Sequence, residues 1–183
     1  GFTADTFEQV TAADPTQIIA VNQAVDARTK GSLEEIAPTT VKPNGYEDWQ
    51  VPWKKQVETI ADAVGKEDEG DKLIDDTEKA FEEFRHEHAE LKDKSAAIVM
   101  PYDGKIGLYT EEDGRGQFIE DLGMEIPDAL QGDGGSFFVD IAPENYAKLN
   151  QVDYLFVLDY NGSSDALKKD KTFQGLDIVK EGR

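Results

Sequence analysis

The run Tyr154-Leu155-Phe156-Val157-Leu158 constrains this chain most, because five apolar residues with no polar alternation fit a strand covered on both faces. A strand buried that way needs helices on each side of its sheet. Immediately upstream, IAPENYAKLNQ supplies an amphipathic helix over residues 143–149, and Asp159-Tyr160-Asn161-Gly162 ends the strand with turn chemistry. A related unit opens the chain. Asp5 caps a helix carrying Phe7, Val10 and Ala13, Asp14-Pro15 stops it, and residues 18–21 form a short strand ending at Asn22-Gln23. Both units carry side chains to the carboxyl end of a strand, where open α/β sheets bind ligands.

Between them, residues 32–36 read as a short helix, residues 39–41 as a short strand, and Lys42-Pro43-Asn44-Gly45 as a turn. Val57, Ile60, Ala61 and Val64 recur at helical spacing before Gly65, a C-terminal stop. Leu73, Ile74, Thr77, Ala80, Phe81, Phe84, His88 and Leu91 then mark one face of a helix over residues 67–92. Such a helix would be roughly 35–40 Å long, enough to pass between two lobes; its pattern alone also suits a coiled-coil seam. Beyond it, strands at 96–100 and 106–109 flank Asp103-Gly104, a hairpin signal, and a helix at 116–122 ends at Gly123. A helix at 163–168 and a strand at Asp177-Ile178-Val179 complete the order. Strands alternating with helices give an α/β fold with a mixed, mostly parallel sheet.

The charge balance excludes several functions. With 39 acidic against 19 basic residues, a net charge of −20 repels nucleic-acid backbones and anionic lipid surfaces, and the basic residues form no patch. No cysteine is present, so disulfides, thiolate metal sites and a Cys nucleophile are excluded, and no apolar stretch is long enough for a transmembrane segment. His86 and His88 sit two apart on a helix, about 200° around its axis, and cannot share a metal. No P-loop, dinucleotide fingerprint, nucleophile elbow or zinc-protease motif occurs. No catalytic and no metal-binding residue is therefore assigned, and no intrinsic cofactor is expected.

TFEQVTAADPTQIIAVNQ followed by LEEIAPTTV resembles the end of the first lobe in substrate-binding proteins of ABC importers for ferric siderophores, haem and cobalamin, the class joined by one long hinge helix. AAIVMPYDGKIGLYTEEDGRGQFIEDLG, IAPENYAKLNQVDYLFVLDY and TFQGLDIVKEGR continue the resemblance in order over essentially all 183 residues. It implies a periplasmic-binding-protein-like fold truncated at both ends: residues 1–66 a remnant of the N-terminal lobe, 67–92 the interlobe helix, and 93–183 a C-terminal α/β lobe lacking its last helix. The implied function is capture of an Fe(III)-siderophore complex and its delivery to an ABC permease, without catalysis. Haem or cobalamin on the same scaffold is the alternative, and an acidic Mg-dependent hydrolase a more distant one. An extracytoplasmic location follows by resemblance, periplasmic or lipid-anchored at the outer face of the membrane.

A bulky, partly aromatic chelate needs flat apolar surfaces with a few cations or donors at a strand-loop rim. Tyr109 at the end of a hairpin strand, Arg115 in the EEDGRGQ loop and Tyr160 after the apolar strand fit by position. Arg115, one of four arginines, would hold an anionic catecholate; a salt bridge with its acidic neighbours is the competing reading. Gln23 and Trp49 are candidates for the opposite wall, while Trp53 suits core packing. By resemblance, Glu8 and Glu144 would meet permease arginines, although each also complements a helix N-terminus. Strands near Ile18 and Val41 lack most of a sheet, so self-association through their exposed edges is expected.

Overall fold

A computed structural model describes residues 2–183. The chain divides into two compact units, Gly1–Glu78 and Lys79–Arg183.

In the first unit, α1 (Ala4–Ala12) is capped by Thr3 in a reciprocal box with Thr6, so Thr3 and not Asp5 starts the helix. β1 (Ile18–Ala20) pairs in parallel with β2 (Thr39–Val41), Ile19 opposite Thr40. Their connection holds α2 (Ala27–Glu34), longer and earlier than expected because Asp26 caps it at the Thr29 N–H. Then α3 (Trp53–Val64) starts after Pro52 and ends at Gly65, whose φ of 66° is the left-handed stop.

The long helix α4 (Glu67–Glu87) is shorter than its apolar pattern. His88 leaves helical geometry at φ −118° and ψ 49°, and a separate 3₁₀ turn carries Ala89–Leu91, so Leu91 continues the apolar face without belonging to the helix. The division between units falls inside α4, at Glu78 and Lys79.

The second unit is built on a four-stranded sheet, β5-β4-β3-β6. β3 (Ala96–Tyr102) and β4 (Lys105–Tyr109) form an antiparallel hairpin. Asp103 and Gly104 both take positive φ, 46° and 76°, as a two-residue turn matching strand twist requires. β5 (Phe138–Ile141) is antiparallel to β4, and β6 (Tyr154–Val157) parallel to β3. The sheet is mixed as expected, but only one of its three pairings is parallel. α5 (Gly114–Asp121) follows β4, and a 3₁₀ helix, Pro143–Gln151, replaces the expected α-helix before β6.

Two readings of apolar runs change. β6 is an edge strand, with Phe156 at 43% and Val157 at 37% exposure. Residues 177–179 lie in α8 (Asp177–Lys180), after α6 (Ser164–Lys169) and α7 (Lys171–Gln174), and fully buried Ile178 is helical. Three residues carry no period by which strand and helix can be told apart. The core gathers Val99, Ile106, Leu108, Ile119, Tyr146, Leu149 and Phe173 in one cluster.

Candidate functional site

Side chains alternate along a strand, so the register fixes which share a face. Tyr109 stands opposite Ile98 and Phe138, Gly107 opposite Met100 and Asp140, and Lys105 opposite Tyr102. Met100, Tyr102, Gly107, Tyr109, Phe137 and Phe138 line a hollow of about 200 Å³ on this face. Gly107 makes its floor: a Cβ there would approach the Tyr102 ring to 3.0 Å and Phe138 to 3.6 Å. Phe138 meets Tyr102 edge-on at 6.4 Å and Phe137 at 4.6 Å, which fixes the rings without filling the space.

At one end the Arg115 guanidinium lies over the Tyr109 ring, 3.7 Å from its centroid. Asp113 holds it there. Its carboxylate accepts from Arg115 Nε at 2.6 Å and Nη2 at 2.7 Å, and caps α5 by accepting the Arg115 backbone N–H at 2.8 Å. α5 can begin this close to β4 because Gly116 has no side chain, since a Cβ would fall 1.9 Å from the Thr110 carbonyl oxygen. Asp113 raises the Arg115 pKa further, while burial pushes the Tyr109 phenol up against the pull of Arg115. The Tyr109 hydroxyl donates to Met100 Sδ at 3.6 Å.

A second ion pair closes the hairpin end of the same face. Tyr102 Oη and Lys105 Nζ both donate to Asp140, and Lys105 stands 4.9 Å over the Tyr102 ring. Lys105 holds Asp140 below the usual carboxylate range, and burial first, Asp140 second, raises the Tyr102 phenol. Each cation bordering the hollow is therefore matched by its own carboxylate, leaving a flat aromatic surface of little net charge.

Of the residues singled out from sequence, Tyr109 and Arg115 come together. Tyr160 does not join them. Val157 lies opposite Val99, so β6 leads Tyr160 toward the hairpin end of β3 and away from Ile98 and Tyr109; it is 70% exposed and its N–H donates to Ser163 Oγ. Gln23 and Trp49 belong to the first unit; Gln23 is exposed after β1, and Trp49 is partly buried with φ at 68°. Glu8 is exposed in the second turn of α1. Glu144 is exposed in the first turn of Pro143–Gln151, beyond the end of β5 opposite Ile106 and so away from Tyr109. His88 contacts Glu90 at 3.2 Å and stacks near Phe84 at 4.4 Å. Among the described residues no cluster of three or more His, Asp or Glu could hold a metal, and no helix is long and apolar enough to cross a membrane.

Sequence reasoning missed Met100, Tyr102, Gly107, Phe137, Phe138 and the two carboxylates. The adjacent Phe137-Phe138 pair after Gly134-Gly135-Ser136 was a usable signal, since two neighbouring rings at the start of a strand concentrate aromatic surface there.

The second unit thus offers a preformed aromatic hollow on one face of its sheet. Residues 3–183 match the model of the periplasmic binding protein family, and the chain belongs to that family. The iron-uptake ABC transporter substrate-binding protein PiaA from Streptococcus pneumoniae has 27% identity and a TM-score of 0.76 over 100% of this chain and 63% of that one. The same protein in complex with ferrichrome gives 27% identity and a TM-score of 0.77 over 100% and 61%. A periplasmic solute-binding protein from Mycobacterium smegmatis gives 27% identity and 0.75 over 97% and 60%. The chain thus spans about three fifths of the length of these structures. No curated protein sequence gives a match.

Proposed function

We propose that this chain is part of an extracytoplasmic solute-binding component that captures a ferric siderophore and presents it to an ABC permease. The observation that carries this is the aromatic hollow bordered by two internally neutralised ion pairs, Arg115–Asp113 and Lys105–Asp140. Ferrichrome, the ligand in the PiaA complex, is an uncharged tris-hydroxamate chelate, and such a surface suits it. An anionic tris-catecholate would need an uncompensated cation, whereas the Arg115 charge is matched by buried Asp113 and its remaining N–H groups act as fixed donors. Tyr109 and Arg115 supply the second unit's contacts in this reading. Gln23 and Trp49 supply the first unit's, and Tyr160 is an outlying one. Residues 67–92 act as the connector between lobes, and the expected location is periplasmic or lipid-anchored at the outer face of the cell membrane.

Calorimetric titration with ferrichrome, a ferric tris-catecholate, haem and cobalamin tests the reading. The hydroxamate should bind at least about tenfold more tightly than the catecholate, a difference of about 1.4 kcal/mol. Arg115→Ala should weaken it by about 1.5–3 kcal/mol through loss of a charged donor. Preference for the catecholate or for haem would overturn the assignment. Glu8→Lys with Glu144→Lys should abolish uptake and leave chelate affinity within about threefold, because charges outside the binding surface act mainly on partner association.

A further inference from the structure

A second recess lies at the hairpin end of the second unit, on the core side of its sheet. Pro101 pairs with fully buried Ile106, so its side chain alternates away from Met100, Tyr102 and the aromatic hollow. The recess measures about 250 Å³ and is lined by residues 101–105 with Tyr146, Ser163, Ala166, Leu167 and Asp170.

Tyr146 makes it more than a gap in packing. The residue is 2% exposed, and its ring meets Phe173 edge-on at 6.1 Å. Burial first, and Asp170 second, raise its phenol, which therefore keeps its proton. Yet the hydroxyl has no hydrogen-bond partner among the described residues. No side-chain nitrogen or oxygen among them is both sealed from solvent and unpartnered, so this hydroxyl opens into the recess that its residue lines.

The charge around the recess is unbalanced. Lys105, the one cation in its lining, is spent on Asp140. Asp103 and Asp170 form no ion pair among the described residues. Asp170 caps α7 through Oδ1 alone, accepting the Thr172 and Phe173 N–H groups at 2.7 and 3.0 Å, so its Oδ2 remains open to a donor. Ser163 Oγ accepts the Tyr160 N–H at 3.1 Å and keeps a second lone pair. Three oxygens with accepting capacity thus line a recess whose wall is apolar at Pro101 and Leu167.

We propose that this recess is a second small-ligand site, which takes a primary organic ammonium with a short apolar body. Its three N–H groups go to Asp170 Oδ2, Tyr146 Oη and Ser163 Oγ, and its body lies against Pro101 and Leu167. An anion would meet two unpaired carboxylates, and a neutral molecule would leave their charge unanswered. The site does not depend on the siderophore reading, since Tyr102 alone lines both it and the aromatic hollow.

The test is an amide NMR titration with n-butylammonium as probe and n-butanol and butyrate as controls of matched tail, at fixed ionic strength. The ammonium should give saturable shifts at Gly104, Ala166 and Leu167 and bind at least about tenfold more tightly than either control. Asp170→Asn, which keeps a good helix cap, should weaken the ammonium at least about tenfold. Tyr146→Phe, which keeps the ring in the core, should weaken it at least about threefold through the lost hydroxyl. Equal binding of butanol or butyrate, or unchanged affinity in either variant, would overturn the proposal. So would unsaturable shifts scattered over the acidic surface, the diffuse pull that a net charge of −20 exerts on any cation. The ranking of the three probes on the parent protein decides the matter even where a variant is destabilised.

Discussion

The two units secure their strands by different means. In the first, β1 and β2 pair over three residues each, and the fully buried apolar set is small: Ala20, Val21, Leu33, Ala37, Val51 and Ala61. Ile19, Ile60, Val64 and Leu73 stay 37–53% exposed. In the second, four strands and their covering helices close around nineteen buried residues in one cluster. Apolar burial is the main favourable term in folding, so the second unit should set the global stability and the first should open at lower free energy. The hollow of the second unit is held by packed strands, whereas the loop after β2 is held by a few polar ties.

The sharpest way to break this comparison is to open a cavity in the second unit. Leu108→Ala, at a fully buried position, should cost about 2–5 kcal/mol in denaturant unfolding, and a loss below about 1 kcal/mol would show that the cluster does not dominate. Hydrogen exchange should next show the amides of Ala20 and Thr40 opening at least about a hundredfold more readily than those of Val99 and Leu108, a gap of about 2.7 kcal/mol. Equal protection would make the units one cooperative block.

A smaller effect is expected in acid. The Ser95 backbone N–H donates to Asp153 at 2.9 Å and is the main reason that this carboxyl titrates below its ordinary range; the Ser95 hydroxyl and Lys94 add to it. A depressed folded pKa contributes stability that is present above the ordinary carboxylate pKa, near 4, and is lost as pH falls through the lower folded value. The junction between β3 and β6 should therefore weaken below about pH 4, and Asp153→Asn should flatten that dependence. Smallest of all, Ile19→Thr at a 40% exposed strand position should change stability by no more than about 0.5 kcal/mol. A larger loss would mean that something covers β1 in solution, as self-association through the first-unit strands would require.

Much of this architecture was legible in the sequence where short-range chemistry decides it. Asp103-Gly104 specified the hairpin turn and its register, and Gly65 stopped α3. What failed was burial and period. Tyr154–Val157 reads as doubly covered, yet coverage belongs to neighbouring strands and helices, and here β6 is the edge. The α4 pattern runs through Leu91 because a 3₁₀ turn can keep one apolar residue on the same face after the helix has ended. At the site, a strand-end tyrosine and a loop arginine were visible as types, and their approach to each other was expected from position. The bidentate tie to Asp113, which changes the electrostatics of the pair, was hidden because acids crowd residues 111–113 and only geometry selects among them.

The open edge of β6 has a consequence for how the protein behaves in concentrated solution. Tyr154-Leu155-Phe156-Val157 carries no charge and no proline, so nothing in the strand itself discourages another chain from aligning beside it. Long-range repulsion between molecules, each bearing a net charge of −20, is the remaining deterrent, and its reach shrinks from about 8 Å at physiological ionic strength to about 3 Å at 1 M. Colloidal stability is thus entrusted to the ionic medium, and added salt should bring molecules together under conditions in which each remains folded.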